Sequence, residues 1–288
     1  MLLVGELVHL TVTGVLIASL LALAAVGLSL SFGVARFANV AHPDFMMVGA
    51  YATFAYNVGL GLAFPAAAAL GIASALAIGV AVAWLAFDRL PVTGNVQLLI
   101  VSIGVSFILR HVALLIFGAS PAQFAVPLQR PWVWGPVRLT ANQIVTLAVA
   151  GGLVLAVHLL LSRTRLGRIL RAMADSPALC QVSGVDTGRS RLLMWAIAVL
   201  LGAVAGVLFG LNLVLQPNMG WDLIILIFAA TILGGIGSPY GALAGSLVLG
   251  ITLEWSTLVI PFQYKEMLAF GAMALCLMFR PRGLFGGR

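Results

Sequence analysis

The sequence predicts an all-α fold, a polytopic transmembrane helical bundle of about nine spans, within a range of about eight to ten. Of the 288 residues, 62% are hydrophobic and 8% are charged, whereas a soluble domain averages about 45–50% apolar and about 25% charged residues. Apolar runs close to the roughly 20 residues that cross a bilayer recur along the whole chain. We therefore treat residues 1–288 as a single transmembrane domain that contains one polar segment, 162–191.

The predicted spans follow one another through mostly short connections. Residues 1–30 contain no Lys or Arg before the apolar stretch, so we expect no cleavable signal peptide. The seventh span is short and is followed by a Gly- and Pro-containing segment at 236–241, where we expect a broken or re-entrant helix. The nine spans are 8–30, 45–62, 64–87, 96–118, 142–161, 192–213, 221–235, 240–260 and 267–279.

The distribution of positive charge predicts the orientation in the membrane. Segments 88–95, 162–191 and 280–288 hold ten of the fifteen Lys and Arg residues. Because Lys and Arg concentrate in cytoplasmic loops, we expect these segments and the C-terminus in the cytoplasm and the N-terminus outside. The net charge of +7 then reflects these loops rather than binding to nucleic acid.

The polar segment 162–191 predicts a helix extension over 164–174 and one short capped helix at the membrane surface. Three arginines at intervals of three share one face of a predicted helix over 164–174, namely Arg165, Arg168 and Arg171. Ser176 and Pro177 predict the N-cap and first position of a second helix, which Gly184 ends. The apolar side chains of that second helix form a stripe, Ala178, Leu179 and Val182. This segment docks a partner or, alternatively, is a solvated connector whose arginines only anchor the topology.

Several motifs in a fixed order resemble the permease subunits of ABC importers for branched-chain amino acids. The matching stretches, spread over nearly the whole chain, are 33–42, 45–51, 102–106, 171–175, 178, 184–186, 202–210, 217–220, 233–238 and 280–285. Two departures bear on the substrate. Pro43 and Asp44 follow His42 where the family usually has Gly, and Arg110 and His111 stand where we expect uncharged polar residues.

The resemblance implies an ATP-driven importer of branched-chain amino acids, or of related small amino acids or amides, in the bacterial cytoplasmic (inner) membrane. Such a permease works with two ABC ATPase subunits, a second and usually distinct permease subunit, and a periplasmic or extracellular substrate-binding protein. The match to the family's coupling segment implies ATPase coupling for Arg171, Ala172, Asp175, Ala178 and Gly184, and the apolar stripe adds Leu179 and Val182 to this predicted set. The sequence has no Walker lysine motif, since its one lysine is Lys265. We therefore expect no enzyme activity in this chain and ATP hydrolysis on separate subunits.

Four polar residues are candidates for the translocation path. Asn39, His42 and Asp44 lie between two spans beside a proline, and membranes tolerate a broken helix only where protein or a water-filled cavity covers it. The alternative for these three residues is an interfacial turn that faces cytoplasmic water. Glu254, midway along the eighth span, either lines the path or forms an ion pair.

The intramembrane position of Arg110 also has two interpretations. A charge in the hydrocarbon costs at least about 2.5–3.5 kcal/mol, so Arg110 either extends its side chain to the outer interface or pairs with a carboxylate or substrate inside the bundle. The glycine clusters at 202–210 and 241–250 have the small-residue spacing that allows close helix packing in lipid.

Metal and cofactor sites are not predicted. There is no HExxH or CxxC motif, and the four histidines share no helical ligand spacing. The alternative function is a self-sufficient secondary transporter or channel for a small solute, in which the basic loop only sets the topology.

Overall fold

The protein, described by a computed structural model over residues 2–89, 94–127, 129–261, 264–280 and 283–285, is a bundle of α-helices with one small β-hairpin. The helices are α1 (Leu2–Ala35), α2 (His42–Phe54), α3 (Phe64–Ala83), α4 (Asn95–Phe117), α5 (Ala141–Arg163), α6 (Arg165–Asp175), α7 (Pro177–Val182), α8 (Thr187–Asn212), α9 (Met219–Gly234), α10 (Pro239–Ser256) and α11 (Lys265–Phe279). The antiparallel hairpin pairs β1 (Trp132–Trp134) with β2 (Val137–Leu139). The predicted helical bundle is confirmed, and the hairpin occupies a segment that the sequence predicts as loop.

The number of membrane spans is not confirmed at nine. In the described part of the chain, α1, α3, α4, α5 and α8 are long and apolar enough to cross a membrane, and the bent pair α9–α10 brings the number up to six. The bend between α9 and α10 is 118° and lies where the sequence predicts a broken helix. Helices α2, α9 and α11 have 13, 16 and 15 residues, fewer than the roughly 20 that span a bilayer.

Helices α1 and α8 form the centre of the bundle. The most apolar window of α1 is 78% buried and that of α8 is 67% buried, whereas the windows of α4 and α5 are each 22% buried. A span that is apolar on all sides belongs either in a core or against lipid. The burial difference places α1 and α8 in the core and leaves apolar faces of α4 and α5 for lipid or for another protein.

Glycines allow the central helices to approach closely, as the sequence predicts. A Cβ atom added at Gly250 of α10 would lie 2.7 Å from the Cβ of Ala18 in α1, and one added at Gly49 of α2 would lie 2.7 Å from the Cα of Ala203 in α8. These separations are far below van der Waals contact. The absence of a side chain therefore sets how closely α1, α2, α8 and α10 pack.

The chain reverses direction between α1 and α2. Helix α1 ends at Ala35, and Arg36 has φ +58°, the one positive φ of a non-glycine residue in the described ranges. The helix that follows starts at His42, three residues before the predicted span 45–62, and passes into a π-helical turn over Ala55–Gly59. Gly33, at the end of α1, contacts Gly237 in the α9–α10 break, since a Cβ added at Gly33 would lie 3.3 Å from the Gly237 carbonyl oxygen.

Candidate functional site

The polar segment 162–191 folds as two capped helices, of which α7 is the predicted one and α6 is a separate helix rather than an extension of the preceding one. Thr164 accepts a hydrogen bond from Gly167 N at 3.1 Å and so caps α6. Ser176 accepts one from Leu179 N at 3.4 Å and caps α7, because a Ser or Thr oxygen satisfies a free amide of the first turn. Gly184 has φ +78° and ends the pair in the left-handed region that glycine adopts without strain.

Helix α7 presents an apolar surface that nothing in the described chain covers. The Leu179 side chain is 68% exposed and that of Val182 is 88% exposed, and Ala178 is exposed beside them. The arginines of α6 and the residues Ala172 and Asp175 are exposed as well, while Leu170 and Met173 are buried against the bundle. Side chains this apolar at a polar surface indicate a contact with another protein.

Arg36 joins this helix pair to the end of α1. Its Nη2 donates hydrogen bonds to the carbonyl oxygens of Ala174 and Asp175, each at 2.8 Å. The last carbonyls of an α-helix lack partners within the helix, so the guanidinium caps the C-terminus of α6. Helix α2 begins six residues after Arg36. The connection between α1 and α2 therefore links the helix pair to the predicted path residues.

The predicted path residues lie inside the bundle rather than in an interfacial turn. Asn39 and His42 are fully buried and Asp44 is 1% exposed. A ring nitrogen of His42, Nε2, lies 2.9 Å from the carbonyl oxygen of Ala24, which is about 16 Å before the end of α1 at 1.5 Å per residue. The backbone amide of Val40 donates to Ser102 Oγ at 3.1 Å. Residues 36–41 thus run back along α1, and α2 begins within the bundle.

A buried ion pair joins α2 to α4. Arg110 Nε and Asp44 Oδ1 lie 4.0 Å apart, with 9% and 1% of their side chains exposed. The guanidinium also donates to Ser106 Oγ at 3.1 Å and lies 4.6 Å from the centre of the Trp221 ring. Of the two interpretations of Arg110, the structure shows the carboxylate partner inside the bundle.

Helix α9 begins beside this ion pair. A Cβ atom added at Gly220 would lie 2.9 Å from Asp44 Oδ1, and the carboxylate of Asp222 is close enough to Arg110 for an electrostatic interaction. We call Asp44, Arg110 and Asp222 the charged cluster. Arg110 was a candidate from the sequence alone, but Asp222 was not, because only the fold brings the start of α9 to α2 and α4.

Glu254 lies elsewhere in the bundle. Its carboxylate pairs with Lys265 of α11 and accepts a hydrogen bond from Thr13 of α1 at 3.3 Å. Of the two interpretations of Glu254, the structure shows the ion pair, and its role in the path stays a prediction. Within the described ranges, no group of three or more His, Cys, Asp or Glu side chains is arranged to hold a metal ion.

These features together define a class of protein. Apolar helices of membrane-spanning length pack with α2, which begins inside the bundle, and with the bent pair α9–α10, and an attached surface helix pair exposes an apolar stripe. Broken helices with charged residues at their starts, buried among apolar spans, are typical of membrane transport proteins.

The chain belongs to the family of permease components of branched-chain amino acid transport systems, whose model matches residues 10–277. The high-affinity branched-chain amino acid transport system permease protein BraD of Pseudomonas aeruginosa is 32% identical, over 96% of this chain and 94% of its own length. The corresponding protein LivH of Escherichia coli K12 is 31% identical, over 95% of this chain and 93% of its own length. Among solved structures, PsaBC from Streptococcus pneumoniae in complex with Fab covers 98% of this chain and is itself covered to 93%, at 16% identity and a TM-score of 0.44.

Proposed function

We propose that this chain is a permease subunit of an ATP-driven importer for branched-chain amino acids or related small amino acids and amides, in the bacterial cytoplasmic membrane. The observation that carries the proposal is the exposed apolar stripe of α7, fixed by a capped helix pair to a bundle whose family is branched-chain amino acid permeases. A secondary transporter would gain nothing from such a stripe, since apolar side chains at a polar surface only lower solubility unless a partner covers them.

The partners follow from the same assignment. Two ABC ATPase subunits dock on the helix pairs of two permease subunits, of which the second is a distinct paralogue, and a periplasmic or extracellular binding protein delivers the substrate. The docking residues are Arg171, Ala172, Asp175, Ala178, Leu179, Val182 and Gly184. In support, this set combines an exposed apolar stripe with exposed charges on the adjoining helix, the composition of a protein interface with an apolar centre and a polar rim.

The topology of the proposed permease has nine crossings. If α2, α9, α10 and α11 cross in addition to the five long helices, the N-terminus lies outside and α6 and α7 lie in the cytoplasm, where the ATPases are. The basic residues support this orientation, because Arg165, Arg168 and Arg171 then lie on the cytoplasmic side. The short crossings are tolerated where neighbouring helices cover their broken ends.

The translocation path runs past Asn39, His42 and Asp44. In support, these side chains are buried at the start of a helix inside the bundle. The Asn39 Nδ2, His42 Nδ1 and Asp44 Oδ1 atoms have no hydrogen-bond partner within the described chain. Buried polar atoms normally have partners, and a path for a polar solute is one place where a protein keeps such groups available. Glu254, held in its ion pair with Lys265, is the weakest member of the predicted set.

Arg36 transmits the movement of the ATPases to the path. A cavity of about 730 Å³ lies beside the contact of α6 with α1, lined in part by Gly33, Arg171 and Gly237. The two hydrogen bonds from Arg36 to the end of α6 lie at the wall of this cavity. When α7 follows the ATPases, Arg36 pulls on the connection that leads to Asn39 and His42.

Reconstitution tests the proposed function. The purified chain alone in liposomes is expected neither to hydrolyse ATP nor to accumulate leucine along a proton or sodium gradient. With its partner permease, the ATPases and the binding protein, it is expected to accumulate leucine in an ATP-dependent manner. Gradient-driven uptake by the single chain would show instead that it is a secondary transporter.

A further inference from the structure

Two helices begin next to each other inside the bundle, and each has an aspartate in its first turn. Asp44 lies in the first turn of α2 and Asp222 in the first turn of α9. Neither helix has a side-chain hydrogen bond from its N-cap residue. The two starts are in contact at Gly220, where an added Cβ atom would lie 2.9 Å from Asp44 Oδ1.

Arg110 pairs with Asp44 and interacts electrostatically with Asp222, with its hydrogen-bonding capacity only partly used. Its Nε lies 4.0 Å from Asp44 Oδ1, beyond the 2.7–3.2 Å of a hydrogen bond. Neither atom has another hydrogen-bond partner in the described part of the chain. A buried ion pair whose only task is structural is stable when its remaining donors and acceptors are satisfied. Ser106 joins the two side chains, since its hydroxyl accepts from Arg110 Nη2 and also bonds the Asp44 carboxylate. The pair nevertheless keeps an unused cationic donor and an unused anionic acceptor, both closed to solvent in this structure.

The charges of the cluster balance only if both helix starts are counted. Two carboxylates and one guanidinium leave one negative charge, and each helix N-terminus contributes roughly half a positive charge. The site is therefore close to neutral overall while it displays both signs separately. Such a site matches a ligand that is itself neutral overall and carries both signs, rather than an anion or a cation.

Asp44 and Arg110 are buried, but one side of the charged cluster is exposed. Asp222 is exposed, and the rings of Trp221 and Phe107, which lie 4.6 and 5.2 Å from the Arg110 guanidinium, are 42% and 46% exposed. An ionised carboxylate against hydrocarbon is strongly unfavourable. This face is therefore not turned to lipid, and its two aromatic rings offer apolar contact area next to the charges.

We propose that Asp44 and Arg110 form a binding site for the α-ammonium and α-carboxylate groups of a free amino acid, with the apolar side chain of the ligand against Trp221 and Phe107. The site rests on the proposed function, which supplies the class of transported solute. The carboxylate of the ligand bonds the Arg110 guanidinium, and its ammonium group bonds Asp44. The ligand thus satisfies both unused atoms and replaces the long contact between them.

Two leucine analogues test the site, because each removes one of the two charges. Leucine amide keeps the ammonium group and has no carboxylate, and 4-methylpentanoate keeps the carboxylate and has no ammonium group. We would measure competition with radiolabelled leucine for binding to the complex of both permeases and both ATPases, in the absence of the binding protein. The wild-type complex is expected to prefer leucine over each analogue by about ten- to a hundredfold, the usual worth of a charged hydrogen bond.

The variants are expected to give a crossed pattern. Arg110→Gln abolishes the preference over leucine amide and keeps the preference over 4-methylpentanoate, whereas Asp44→Asn does the reverse. The double variant restores the balance of charge but not leucine binding. Arg89→Gln is the matched control, since Arg89 also stacks on a tryptophan, at 4.2 Å from the Trp84 ring centre, but at the end of α3. It is expected to leave both preferences unchanged.

Other outcomes separate the site from the proposed function. Parallel loss of both preferences in each single variant, or leucine binding restored in the double variant, shows a structural ion pair and overturns the site. The same holds if the wild-type complex imports leucine but binds it no better than either analogue. Absence of ATP-driven leucine import by the complete wild-type system overturns the proposed function itself.

Discussion

Two polar segments interrupt the apolar chain, residues 162–191 and residues 36–44, and they end up in opposite places, the first at the surface of the bundle and the second inside it. The first segment forms α6 and α7 at the surface, where Leu179 is 68% exposed. The second runs into the bundle, where Asn39 and His42 are fully buried. Polarity alone therefore does not place a segment of a membrane protein at the surface. What decides the outcome is whether the rest of the bundle surrounds its polar groups.

The two segments also differ in how their backbone groups are satisfied. In α6 and α7 the caps are local, since Thr164 and Ser176 each bond an amide three residues ahead. In 36–44 some bonds are local, such as that from Ala41 N to Asn39 Oδ1. Others reach distant helices, since the Val40 amide bonds Ser102 of α4 and the His42 ring bonds the Ala24 carbonyl of α1. The surface segment thus caps the starts of its own helices, whereas the buried one also depends on bonds to neighbouring helices.

The largest expected effect concerns the docking role of the surface segment. Leu179→Asp places a carboxylate where the proposed ATPase groove is apolar, and loss of a buried interface anchor costs about 2 kcal/mol or more. We expect the variant to reach the membrane in normal amounts and to lose substrate-stimulated ATP hydrolysis in the reconstituted complex. Gln181→Glu, on the same helix, adds the same charge without removing apolar surface, and we expect it to retain substrate-stimulated ATP hydrolysis. Normal stimulation in Leu179→Asp would remove α7 from the interface.

The next effect concerns the packing that buries the second segment. A Cβ atom at Gly49 would lie 2.7 Å from the Ala203 Cα, so Gly49→Ala forces α2 away from α8 at a cost of about 1–3 kcal/mol. We expect a lower thermal midpoint of the purified permease in detergent. Gly104→Ala is the matched control, because nothing lies within 4 Å of its added Cβ. An equal change in both variants would mean that the close approach of α2 to α8 does not hold the buried segment in place.

The contrast also explains how much of the molecule the sequence could predict. The caps, the stripe and the stop of α7 were all predicted, because Ser176, Pro177 and Gly184 act within a few residues of one another. The motif around Asn39 and His42 was recognised, but its depth in the bundle was not, because that depth follows from contacts with Ala24 and other residues distant in the chain.

The same limit applies to the charges. Arg110 stood out in the sequence as a charge within an apolar run, whereas its partner Asp44, 66 residues away, is fixed only by the packing of α2 against α4. Arg36 gave no signal, because one arginine at the end of a span is ordinary in a membrane protein. Its role follows from a positive φ and two contacts with α6.

A moderate effect is expected from cutting the connection between the two segments. Arg36→Ala removes two hydrogen bonds to the end of α6, each worth about 0.5–1.5 kcal/mol, and exposure to solvent places them at the lower end. We expect more ATP hydrolysed per leucine imported, by about fivefold for roughly 1 kcal/mol. Arg36→Gly removes the same guanidinium and also relieves the positive φ. Comparison of the two variants therefore distinguishes the effect of the side chain from that of the backbone. Equal losses in both variants assign the effect to the guanidinium, and normal coupling in both would exclude Arg36 as the link.

The smallest expected effect is a change in the accessibility of the buried segment. In a protein without Cys180 and Cys276, Asn39→Cys and His42→Cys are each expected to react slowly with a water-soluble thiol reagent in the state described here, because both positions are fully buried. Trapping the ATPases with nucleotide is expected to change these rates severalfold, since a path that alternates between two sides must open to water in one of its states.

A cysteine at an exposed position that does not line the path shows whether such a change is specific. Gln97 is exposed at the start of α4, so Gln97→Cys is expected to react at the same rate with and without nucleotide. Cysteines placed at 178–182 report directly on ATPase docking and are expected to respond. If they respond while the rates at 39 and 42 stay constant, the movement of α7 does not reach α2. The segment at 36–44 is then a passive part of the core, and the translocation path lies elsewhere in the bundle.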